Sequence, residues 1–148
     1  MVIDGHRAPA NCSGAYASTY TTCLQGVTFW LDQGATIGVL NKAQVLISPY
    51  QPPAGTNQTP NDGFFSVYAP TGSPAAIYDS NNSTSLTLTG PVYLPSGTLS
   101  VGQNALLSID GQAIVGTWSV QSGNSTNPEI TFDSRYVATL REQLQLVE

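Results

Sequence analysis

Asp110 and Asp133 each close a short alternating phrase, ALLSID over residues 105–110 and EITFD over residues 129–133. If these phrases stack as neighbouring parallel strands, their carboxylates lie one strand spacing apart, about 4.8 Å. Carboxylates about 5 Å apart are the geometry of a retaining glycosidase, and the same pair, with backbone carbonyls, can hold a Ca²⁺ ion. A third role needs no ligand, since an aspartate followed by Gly111 or Ser134 can hydrogen-bond the next backbone amides and cap a turn. Turn capping is the expectation, because Asp79 ends a different strand and Asp32 and Asp62 fall in loops, which leaves no wider acidic cleft.

Aromatic residues offer a different chemistry. Trp30 and Tyr68 alternate out of phase with Phe29 and Val67, so they are expected to point outward from neighbouring strands as a candidate ligand-binding platform. The flat apolar face of such a ring complements a pyranose. The alternative is an aromatic ladder covered by the N-terminal segment or by a partner.

Cys12 and Cys23 are the two cysteines, flanked by Ser, Thr, Tyr and Gly, with the single histidine, His6, near the start of the chain. They are expected to form a disulfide that closes an N-terminal loop and places the protein outside the cytoplasm. No Ser-His-Asp or Cys-His arrangement, phosphate loop or metal-ligand spacing is recognisable, so no catalytic residue, metal or cofactor is expected.

The elements that must position these residues are short. Helical periodicity is confined to the last residues, whereas bursts of period-two alternation run from Val27 to Asp133 and number twelve. Written in threes, their first members begin at Val27, Phe64, Pro91 and Gln112, and Gly, Asn or Ser mark the corners. The best-matched pair, Gly90 to Asn104 against Gly111 to Gly123, has a period of about 21 residues. This pattern predicts a single all-β domain: a right-handed parallel β-helix, a single-stranded β-solenoid of about four three-strand coils enclosing a triangular apolar core. Residues 1–26 form the disulfide-closed arm, 27–133 the coils, and 134–148 a short C-terminal cap carrying Leu140, Leu144 and Val147. A Pro- and Asn-rich insertion, residues 49–63, is expected to be a surface loop.

Charge narrows the partners. Only 9% of residues are charged and the formal net charge is −5, so the four basic residues cannot form a stripe that binds nucleic acid or an anionic membrane. No apolar run approaches the roughly 18 residues of a membrane helix, and no signal peptide is visible. Any membrane attachment is expected through a segment upstream of Met1.

The phrases CLQGVTFWLDQGATIGVLNKAQVLISP and LTLTGPVYLPSGTLSVGQNALLSIDGQAIVGTWSVQSGN resemble segments of bacterial proteins associated with tight-adherence (Flp-type) pilus assembly, over about Cys23 to Asp133. Gln103-Asn104 departs from the Gly-Asn corner of that pattern. The resemblance implies an exported envelope or surface protein with a structural or adhesive role and supplies no catalytic residues. The expected function is therefore a non-enzymatic extracytoplasmic module with a protein or glycan partner at the cell surface. A carbohydrate-binding module and a polysaccharide-active enzyme are the alternatives.

Overall fold

A computed structural model describes residues 1–4, 11–49, 65–79, 83–121 and 129–131. In chain order its strands are β1 (Val2–Asp4), β2 (Thr22–Gln25), β3 (Phe29–Trp30), β4 (Thr36–Leu40), β5 (Gln44–Ser48) and β6 (Val67–Tyr68). They continue with β7 (Ala76–Asp79), β8 (Ser85–Thr89), β9 (Val92–Val101), β10 (Leu106–Asp110), β11 (Ala113–Val120) and β12 (Glu129–Thr131). A 3-10 turn, Gly14–Tyr16, precedes β2.

The expectation of a single-stranded β-helix with three strands per coil is corrected. The described strands form two parallel sheets rather than three: a seven-stranded sheet, in which β11 is added on β9 of the path β1-β4-β7-β9-β6-β3, and a five-stranded sheet, β12-β10-β8-β5-β2. One of the two sheets is a curled half-barrel. The physical reason lies in β9. The Pro95-Ser96-Gly97 stretch looks like a corner in the sequence, yet the backbone stays extended through it, so one strand pairs with β6 at Val92 and Tyr93 and with β7 from Thr98 to Val101. β11 follows the same path and bulges between Val115 and Thr117.

Two glycines let neighbouring strands approach closely along that stretch. A Cβ on Gly97 would stand 2.6 Å from the carbonyl oxygen of Ala75, and one on Gly116 would stand 2.7 Å from that of Pro95. Only a residue without a side chain lets the backbones approach so closely.

The core is built from register. Ile37, Ile77 and Leu99 align across β4, β7 and β9, while Val45, Leu86 and Leu107 align across β5, β8 and β10, and all six are buried. Each such side chain contributes about 1.5–3 kcal/mol by leaving water. Trp118 and Val120 continue the inward rows beyond Leu99 and Val101, but they stand 36% and 43% exposed because β11 is the last strand of its sheet among the described residues. Ile114 aligns with Tyr93 on the outward row, and Ala113 and Val115 take the inward positions.

The segment expected to be only an arm also enters the sheets: β1 pairs with β4 and β2 with β5. The C-terminal cap, His6 and residues 50–63 of the insertion lie outside the described residues.

Candidate functional site: an outward aromatic row

Pairing of β3, β6 and β9 sets Trp30 opposite Tyr68 and Tyr68 opposite Tyr93. Their inward neighbours Val67 and Val92 are buried, so alternation sends these three rings to the outer surface. Trp30 and Tyr68 have ring centroids 4.5 Å apart and tilted 39°, whereas Tyr68 and Tyr93 are stacked at 5.3 Å and 14°. Phe65 flanks the row, 5.4 Å from Tyr68 and 6.0 Å from Tyr93.

Cross-strand aromatic pairs add about 0.5–1.5 kcal/mol beyond their burial, so the rings hold one another in place. Tyr68 and Tyr93 turn their faces largely toward each other. Trp30 stands at the end of the row, on the edge strand of the path, and is 65% exposed. The structure thus brings together the two aromatic residues singled out in the sequence and adds Tyr93 and Phe65. The signal for Tyr93 was present, because the dipeptide Val-Tyr recurs at 67–68 and 92–93.

Around Trp30 the surface is polar. Thr28 donates its hydroxyl to the carbonyl of Phe65 at 2.7 Å. The exposed Asp32 accepts the Gln33 amide on its Oδ1 at 2.7 Å, and its backbone carbonyl accepts the Ala35 amide, which shapes the turn that follows β3.

Of the aspartate pair, Asp110 lies among the described residues. β10 and β12 are parallel with Ser108 opposite Glu129 and Asp110 opposite Thr131, so the residue beside Asp110 in the neighbouring strand is Thr131. Asp133 lies outside the described residues. The backbone carbonyl of Asp110 accepts the Gly90 amide at 2.8 Å, which ties one sheet-to-sheet corner to the one beside it.

Cys12 and Cys23 are joined, with Cα atoms 5.1 Å apart. Asn11 beside them acts as a short edge partner of β2: its side-chain oxygen accepts the Cys23 amide at 2.7 Å and its side-chain nitrogen donates to the Cys23 carbonyl at 3.0 Å. The disulfide is compatible with an oxidising, extracytoplasmic location.

One titratable group went unassigned in the sequence. Asp79 closes β7, opposite Val39 on β4 and Val101 on β9. It occupies an inward position in a valine row and is 2% exposed. Burial pushes its carboxyl up to about 7; the Thr84 hydroxyl and the Leu86 amide oppose that rise. Both carboxyl oxygens are fully buried and lack a hydrogen-bond partner among the described residues.

Among the described residues no three His, Cys, Asp or Glu side chains come together to hold a metal ion. No family model, curated protein or solved structure matches the chain.

Proposed function

We propose that the protein is a non-enzymatic adhesive module that works outside the cytoplasm and that Trp30 is its contact with a saccharide. The observation that carries this reading is the exposure of Trp30 in an orientation already fixed by Tyr68. An indole held in place by its neighbours loses little freedom when a ligand stacks on it, so the apolar gain is kept for binding. Because Tyr68 and Tyr93 face each other, the free ring face belongs to Trp30, and the site takes one sugar ring rather than a run of them. Asp32, two residues along the chain and exposed, supplies an acceptor for a sugar hydroxyl. A formal net charge of −5 opposes acidic polysaccharides, so the ligand is a neutral sugar. The disulfide supports an exported setting, and the resemblance to pilus-associated proteins is the reason for placing that setting at a bacterial surface.

The test is titration of the whole chain with neutral oligosaccharides of increasing length, followed by calorimetry and by Trp fluorescence. Millimolar binding that is nearly independent of chain length, disappears in Trp30→Ala and survives in Tyr16→Ala is the expected result. Absence of binding across a broad set of neutral glycans at millimolar ligand overturns the proposal.

A further inference from the structure

Asp79 breaks an otherwise apolar row. Ile3, Val39, Asp79, Val101 and Val120 succeed one another across β1, β4, β7, β9 and β11 by register, and Asp79 is the one member that can carry charge. It is not a corner residue that turns to solvent: its side chain is buried and both oxygens lack a partner among the described residues.

Among the described residues, the groups packed against it supply no compensating charge. β4, β8 and β9 contain no acid, no lysine or arginine and no histidine. Tyr93 on β9 belongs to the outward row, and Tyr78 on β7 points to the face opposite Asp79, where its ring covers Gly38. On β1, Asp4 is aligned with Leu40 rather than with Val39. Lys42, in the turn after β4, is exposed. An ionised carboxylate here would be cut off from solvent and, among the described residues, from any counter-charge, and burying one uncompensated is among the costliest arrangements in a protein interior.

We infer that Asp79 makes this fold acid-favoured: the protonated carboxyl is accommodated in the valine row, and its ionisation loosens the end of β7 where it meets β9. The group's rise to about 7, from 3.8, fixes the sign. Between about pH 4 and pH 7 the folded chain keeps a proton that the unfolded chain releases, so stability from this group is greatest at the acid end, declines through the window and levels off above it. Three pH units of unequal protonation amount to about a thousandfold in the folding equilibrium. The first backbone bond to feel the change is the one from the Gly102 amide to the Asp79 carbonyl, 2.7 Å long. For a module outside the cytoplasm, this device firms the fold as its surroundings acidify.

Urea unfolding of the whole chain at pH 4.5, 6 and 7.5 tests it, with Asp79→Asn and Asp79→Val alongside. The wild-type midpoint is expected to fall as pH rises, and the slope is expected to be smaller in either variant that folds. Asp79→Val continues the row and serves where the amide of Asp79→Asn is not tolerated. Carboxyl ¹³C titration of the wild type needs no variant: a midpoint near 7 for Asp79 supports the inference and one near 4 overturns it. Parallel pH profiles for wild type and variants overturn it as well.

Discussion

Replacing Gly97 with Ala tests the close backbone approach at the point where β9 passes from its pairing with β6 to its pairing with β7. The backbone of Gly97 is not in the left-handed region, so alanine meets no conformational penalty there and the effect is steric. Its Cβ would stand 2.6 Å from the Ala75 carbonyl oxygen and 3.1 Å from the Cβ of Leu94. That oxygen accepts the Thr98 amide at 2.9 Å, the first bond joining the second half of β9 to the β7 side of the sheet. Relieving the overlap costs about 1–3 kcal/mol, as overpacking of a close contact does. Weakening the Thr98 bond adds up to about 1 kcal/mol, and the smaller freedom of the unfolded alanine chain returns about 0.4–1 kcal/mol. A net loss of about 2 kcal/mol is expected, about 6 °C in melting temperature for a domain of this size. Urea unfolding followed by far-ultraviolet circular dichroism reads it as a lower midpoint at unchanged slope. Thr117→Ser, on the exposed part of β11, should shift the midpoint by less than about 0.5 kcal/mol. A Gly97→Ala midpoint equal to or above wild type refutes the close approach, and with it the account of why β9 stays one strand.

Removing the disulfide with Cys12→Ser and Cys23→Ser together should lower stability by about 3 kcal/mol, and reductant should bring the wild type down to the same midpoint. The buried Thr22 hydroxyl has no partner among the described residues and lies in register with Val45, so Thr22→Val should raise stability by about 1 kcal/mol in the same urea assay. Leu99→Ala, in the middle of a fully buried row, should cost about 2–5 kcal/mol, while Leu106→Ala, exposed on β10, should cost less than about 0.5 kcal/mol. Equal losses from the two leucine variants would contradict the assignment of inner and outer faces.

Alternation alone determined which side of most strands faces the core. Ile37, Val45, Ile77, Leu86, Leu99 and Ile109 are legible as inward positions because a strand sends successive side chains to opposite faces whatever it pairs with. The two cysteines, Cys12 and Cys23, were a pair to be joined on their own account, the spacing of similar phrases pointed to parallel stacking, and the alternation rule made Trp30 and Tyr68 outward. What it could not supply was distance between segments. Whether Pro95-Ser96-Gly97 ends a strand or bends one depends on the Ala75 carbonyl, some twenty residues earlier in the chain, and so the number of sheets was decided by tertiary contact. Register decided that Thr131 stands beside Asp110 and that Tyr93 extends the aromatic row. It also decided that Asp79, the last residue of an ordinary-looking phrase, is set between Val39 and Val101. A carboxylate's charge state depends on water and neighbouring charges rather than on its place in the chain, and only the packed structure brought those surroundings together.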